Sequence, residues 1–239
     1  ALSYYDNDRA NDIGFGTSNF LGERTTLEYL GTTTILTDST LSFGASFSEE
    51  NFDTSDSFGG AASGDRQIGA VFAEGQFALN PATDLALSLR YDDYSDFGDF
   101  LSGRLALAYR PAEGTTLRAS LSNGFRAPSL FEINDPTYGN PDLSPEESRT
   151  LEFGVEQIFA GGATLQATAF WTEIDDLIQF FFPAGYLQTD GTTQTRGVSL
   201  SGTLPLGDRA QLFGNYTYTD ATLPDGERRR NDTLDPEQL

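Results

Sequence analysis

Cysteine, histidine, lysine and methionine are all missing from these 239 residues. Without cysteine there is no disulfide and no thiolate metal site, and cysteine usage leaves the compartment open. Without histidine the usual zinc ligands, a Ser-His-Asp triad and the commonest general base near neutral pH are gone as well. All fourteen cations are Arg, so Schiff-base chemistry on a lysine is excluded. Long apolar runs are lacking too, none approaching the roughly 18 residues that a helical membrane span needs. Positive charge is scarce: the formal net charge is −22 and the one cationic cluster is Arg228, Arg229 and Arg230, which reads as a solvated loop. A phosphate-binding surface needs clustered cations, so no nucleic-acid partner is expected. Methionine is absent even at position 1, which predicts that the chain begins within a longer product or after processing.

What remains is rich in glycine (25 residues) and aromatics (13%), the composition of a β protein with many turns. Period-two alternation marks about eleven strands, near residues 1–7, 24–35, 40–51, 67–79, 84–94, 101–110, 115–123, 149–159, 163–174, 195–204 and 210–220. Most are nine to twelve residues long, the length of a tilted strand crossing a bilayer. Short connections (37–40, 80–83, 111–114, 161–162, 205–208) alternate with long ones (8–23, 52–66, 124–148, 175–194), with a shorter one at 95–100. A soluble sandwich has little reason to put tight turns at one end and long loops at the other, whereas an up-and-down barrel in an outer membrane does. The expected fold is all-β: an antiparallel transmembrane β-barrel.

The side-chain rows fit that reading. Leu85, Leu87, Leu89 and Tyr91 alternate with Ala86, Ser88, Arg90 and Asp92, and Leu105, Leu107 and Tyr109 oppose Arg104, Ala106 and Ala108. Tyr91, Tyr94 and Tyr109 suit aromatic girdles, although Tyr is favoured in any sheet. The other row carries Arg90, Arg104, Arg118, Glu152 and Glu156, which in a dry core would each cost several kcal/mol, about 3–5 if unpaired. That face must surround water or a polar body, with acidic partners for the arginines on neighbouring strands or on an inserted domain.

The most informative stretch is 123–148, NGFRAPSLFE, INDPT and YGNPDLSPEES, joining two alternating runs. Its prolines at 128, 136, 141 and 145 predict an ordered loop without regular structure. Pro128 and Pro141 fix φ, Gly124 and Gly139 permit tight turns, and Asn140 and Asp142 bond local backbone. Arg126 is placed to pair with Glu132 or Glu146. These are loop-structuring roles. Direct ligand contact falls more naturally to the exposed aromatics Phe180, Phe181, Phe182 and Tyr186, for which packing of their loop on itself is an equal alternative. Acidic groups at Asp53, Asp56 and Asp65, and at Asp92, Asp93, Asp96 and Asp99, lack the EF-hand spacing, so no metal site and no cofactor is expected.

Five segments in order resemble the TonB-dependent outer-membrane receptors, particularly the cobalamin and siderophore receptor group: VFAEGQFAL (71–79), RYDDYSDFG (90–98), NGFRAPSLFE with YGNPDLSPEES, LEFGVE (151–156) and TRGVSLSG (195–202). The resemblance covers roughly 23–230 and implies the middle and later strands of a barrel of about 22 strands in the bacterial outer membrane. It implies energy-coupled uptake of a metal chelate or cobalamin, a lipid-facing wall, and TonB as partner through a plug domain. The expectation is that residues 1–239 belong to one barrel domain whose N-terminal plug and closing strands are absent. No catalytic residue is assigned. A passive porin-type channel is the first alternative; a barrel enzyme is a weaker one, since such enzymes use histidine.

Overall fold

The computed structural model describes residues 1–12, 14–207 and 209–228. They form one antiparallel sheet of eleven strands in chain order: β1 (Leu2–Asp12), β2 (Thr17–Leu36), β3 (Ser39–Asp56), β4 (Ala61–Asn80), β5 (Thr83–Tyr94), β6 (Gly98–Ala112), β7 (Thr115–Arg126), β8 (Glu146–Ile158), β9 (Thr164–Phe181), β10 (Gly185–Pro205) and β11 (Gln211–Thr222). Each strand pairs with the next, and the sheet is open, with β1 and β11 at its edges. Among the described residues the single helix is α1 (Leu130–Asn134). Arg229, Arg230 and the tail 231–239 lie outside the described residues.

Register turns the alternation within each strand into continuous lines across the sheet. Phe77, Leu85, Leu107, Ala119, Phe153, Ala169, Val198 and Tyr218 are successive cross-strand partners from β4 to β11, so one face carries an unbroken apolar band. On the other face Thr32, Ser42, Glu74, Ser88, Arg104, Ser122, Thr150, Thr172 and Thr195 partner one another from β2 to β10 without one apolar member. Side chains of the apolar band stay exposed, Leu87 at 41% and Phe153 at 57%. Nothing within the sheet covers them, which is what a lipid-facing surface looks like.

The band has a sharp upper limit. Toward the long connections the same face changes to Asp93 and Asp99, which are partners just beyond Tyr91 and Leu101, and, four residues from the band on β7 to β10, to Asn123, Arg149, Glu173 and Gln194, again successive partners, with Arg196 and Asp220 paired one step nearer on β10 and β11. Charge cannot sit in hydrocarbon cheaply, about 2–4 kcal/mol at the midplane for a cation, so this line sets the water boundary.

Three of the four long connections are strand, not loop. β2 and β4 each run for 20 residues and β10 for 21, about twice the nine to eleven needed to cross a bilayer. They continue above the boundary, with turns at 57–60 and 182–184 and bends at 14–15. The sequence there is rich in Ser, Thr, Asp and Asn on both parities. Above the membrane both faces meet water, so alternation disappears while the backbone ladder continues. The expectation of no regular structure within 124–148 also fails: Ser129 and Glu132 form a capping box that starts α1 between Pro128 and Pro136. Tyr94 is no girdle residue either. It shares the parity of Arg90 and Asp92, and the Arg66 guanidinium lies 5.6 Å from its ring.

Buried apolar side chains are few and gather at one place. Pro128, Leu130 and Leu143 of the connection between β7 and β8 are buried, as are Phe52 of β3, Ile68 of β4 and Ile178 of β9. At about 1.5–3 kcal/mol per buried side chain, this small core suffices to hold the connection down across the strand ends.

Candidate functional site: the loop-bearing mouth

The connection 127–145 leaves β7 and reaches across to β4, which α1 contacts. Two charged clusters fix it. Arg126 donates from Nε and Nη2 to the two oxygens of Glu146 at 2.9 and 2.8 Å and from Nη1 to Glu132 at 3.0 Å, so it makes both of the pairs anticipated for it. Glu146 also accepts the Ile178 backbone N–H at 2.7 Å. Hydrogen bonds to Glu146 raise the Arg126 pKa; burial works against this, and Glu132 adds to the rise. For Glu146 burial favours the neutral acid, but hydrogen bonds from Arg126 and Ile178, together with the cation itself, hold its carboxyl below the usual carboxylate range.

The second cluster centres on Arg66, 4% exposed. Its Nε donates to Asp96 at 2.8 Å and its Nη2 to the Pro128 carbonyl at 2.8 Å, and its guanidinium lies over the rings of Tyr94 and Phe97. Sequence reasoning missed this residue. A signal existed: Arg66 shares the parity of Ile68, Ala70 and Phe72, an apolar row on which a cation requires several partners.

The other motif residues take distinct places. Gly139 donates to the Asp135 carbonyl at 2.9 Å, and a Cβ there would lie 2.5 Å from that oxygen, so the chain folds back as tightly as expected. Gly124 is in no turn; it lies in β7 opposite Ser148. Asn140 Oδ1 accepts the Asp142 N–H at 3.0 Å across Pro141, while its Nδ2 donates to the Tyr186 carbonyl at 3.0 Å. The side chain of Asn140 rather than that of Asp142 therefore shapes the turn, and it also ties the loop to β10. Gly185, at φ +91°, starts β10 against the Tyr138 carbonyl, where a Cβ would collide; the Tyr186 N–H donates to the same oxygen at 2.9 Å.

The four aromatic candidates divide. Phe180 and Tyr186 are cross-strand partners with ring centroids 5.2 Å apart; Tyr138 packs 5.3 Å from Phe180 and 6.4 Å from Phe182. Phe181 pairs with Gly185 and alternates to the opposite face. Tyr186 touches Phe131 of α1 at 6.1 Å, and Phe131 in turn meets Phe20 and Phe52 at 6.2 and 5.9 Å. Aromatic contact thus runs unbroken from β2 and β3 through α1 to the tip of β9 and β10. Burial, and then the charges of Glu132 and Asp135, push the Tyr186 hydroxyl above its usual range.

Below the mouth the polar face is neutralised within itself. Arg90 pairs with Asp92 at 2.8 Å, Arg104 with Glu152 at 3.6 Å and Arg118 with Glu156 at 2.7 Å, and Ser120 donates to Glu152 at 2.9 Å. Asp92 shares β5 with Arg90 and Glu156 stands on the strand beside Arg118, whereas Glu152 on β8 reaches Arg104 on β6 across the intervening β7. Such half-exposed pairs contribute only about 0–1 kcal/mol each, so their effect is to cancel charge, not to hold the wall together. A hollow of 420 Å³ on this face is lined by Arg104, Arg118, Ser120 and Glu152 among others.

An apolar band of membrane height, a polar opposite face and polar strand extensions on one side define the wall of an outer-membrane β-barrel. Residues 1–237 match the family described as TonB dependent receptor-like, beta-barrel, and the chain belongs to it. It is 29% identical over 124 residues to the vitamin B12 transporter BtuB of Vibrio cholerae, covering 52% of this chain and 20% of that protein. It is 27% identical over 181 residues to the iron-regulated outer membrane virulence protein of Vibrio cholerae, covering 66% of this chain and 28% of that one. The siderophore receptor PirA of Pseudomonas aeruginosa superposes with a TM-score of 0.70 at 22% identity, over 93% of this chain and 48% of PirA, a likeness of fold. The matches thus cover less than half the length of each of these proteins. The family consists of outer-membrane receptors and transporters, not enzymes.

Proposed function

We propose that this chain is part of the wall and mouth of an outer-membrane receptor that takes up a metal chelate or cobalamin by energy-coupled transport. Residues 1–239 contribute to a single barrel domain; the plug and the remaining strands come from the rest of a longer protein, and TonB acts through that plug. The chain acts as a receptor and carries no catalytic role. Phe180, Phe182 and Tyr186, with Tyr138 and Phe131, contact the cargo.

The observation that carries this reading is the doubly anchored aromatic loop at the mouth. A passive channel narrows its pore by folding a loop down the lumen. Here 127–145 packs on strand ends, against Phe20, Phe52 and Tyr186, and leaves the Arg104–Glu152 level of the polar face uncovered. The test is uptake of radiolabelled cyanocobalamin and of ferric chelates by cells dependent on the full protein. Uptake that stops when the proton-motive force is collapsed supports the reading; unchanged uptake means a passive channel.

A further inference from the structure

A second hollow, of 520 Å³, opens between the outer ends of β1, β2 and β3 and the loop that carries α1. Its volume suits a small ligand or one lobe of a larger one. Three rings line it, Phe20, Phe131 and Tyr138. Around them stand the amides of Asn7, Asn11 and Asn19, groups that both donate and accept. Its charged members are Arg9, Asp56 and Asp135.

The two carboxylates are held in place. Asp56 accepts the N–H groups of Phe58 and Gly60 at 2.7 and 2.9 Å, and Asp135 those of Thr137 and Tyr138 at 3.0 and 2.8 Å. They cannot swing away from an incoming ligand without leaving those donors unpaired. The sole cation leans on an amide, Arg9 Nε donating to Asn11 at 3.2 Å. Nearby Arg126, the next cation along the loop, is already spent on Glu132 and Glu146.

We infer that this hollow is a subsite for a cargo without net negative charge: an uncharged or cationic ring-bearing chelate or corrinoid. The inference rests on the receptor reading above and specifies its ligand class. Aromatic faces give contact area to any flat or greasy surface, and the amides satisfy carbonyl and hydroxamate-type oxygens. The surplus carboxylate disfavours an anion, by about tenfold or more for each negative charge brought to within several ångströms.

The test uses the complete detergent-solubilised receptor and three probes: cyanocobalamin, a neutral ferric tris-hydroxamate and a triply anionic ferric tris-catecholate, with Kd measured calorimetrically at two salt concentrations. At least one uncharged probe is expected to bind about a hundredfold or more tighter than the tris-catecholate. Asn11→Arg and Asp56→Asn, which keeps the acceptor for Phe58 and Gly60, are each expected to tighten the tris-catecholate about tenfold at low salt while shifting the uncharged probe by less than about threefold. A tris-catecholate that binds wild type as tightly as the uncharged probes overturns the charge assignment and leaves the receptor reading standing. Preference for the uncharged probe with no response to either substitution overturns the placement in this hollow. Failure of all three probes to bind overturns both readings.

Discussion

Glu146 grips Arg126 at two points, 2.8 and 2.9 Å, and with the same carboxylate takes the Ile178 N–H at 2.7 Å. One side chain at the start of β8 thereby ties the end of β7 to β9, on either side of the mouth loop. Glu146→Ala strands a buried N–H and a guanidinium and is expected to loosen the loop by about 2–4 kcal/mol. Glu146→Gln keeps an acceptor for Ile178 and is expected to cost about 1–2 kcal/mol. Hydrogen exchange of the amides in 127–145 and at Ile178 reports both.

The same group makes the loop sensitive to acid. Its carboxyl titrates below the ordinary range when the loop is docked and within that range when it is not, so the released state binds the extra proton. The contribution is fully present above the ordinary carboxylate pKa and is lost as pH falls through the lower docked value. Protection of 127–145 should be flat from about pH 8 to 5 and decline below about pH 4. In Glu146→Gln this decline should be absent or much weaker.

Arg66 meets Asp96, the Pro128 carbonyl, the rings of Tyr94 and Phe97 and, at 3.8 Å, Glu50, with almost no solvent. Arg66→Met fills the space but leaves Asp96 and the Pro128 carbonyl without their donor, a loss of about 3–5 kcal/mol concentrated at the base of α1. Limited proteolysis should then cut within 129–145, while the strands of the apolar band remain resistant. Equal sensitivity throughout would show that Arg66 supports the whole wall.

Gly185 combines φ +91° with a backbone oxygen where a Cβ would stand. Gly185→Ala should cost about 1–3 kcal/mol locally and move Tyr186 off the Tyr138 carbonyl. A fluorescent reporter placed at the tip of β9 and β10 should show the change.

The membrane boundary can be read with single charges. Leu87→Arg, within the band, should cost about 2–4 kcal/mol in folding into vesicles, whereas Asp93→Arg, beyond the boundary line, should cost no more than about 1 kcal/mol. Similar penalties at both positions would place the bilayer elsewhere.

Much of this was legible because a bilayer imposes alternation: where Leu85 to Tyr91 must meet lipid and Ala86 to Asp92 must not, the period is explicit in the residues. All eleven strands could be placed for that reason. Above the membrane the constraint lapses, so the extensions of β2, β3, β4, β9 and β10 read as loops. The capping box at Ser129 and Glu132 was present in the sequence but masked by the prolines on either side. The Arg126 pairs were within reach because their members lie close in the chain. Arg66 and the ring contacts of Phe20, Phe52 and Phe131 were not, since they join residues that only the curvature and register of the sheet bring together.

Strand parity carries a last consequence. In a meander of eleven, the first and last members point the same way, so β1 and β11 cannot zip to each other as antiparallel neighbours. A twin inserted in the same orientation meets the same mismatch at either seam. Only an odd complement of strands closes the ring, and that rule limits which partners this chain, expressed by itself, can recruit in a bilayer.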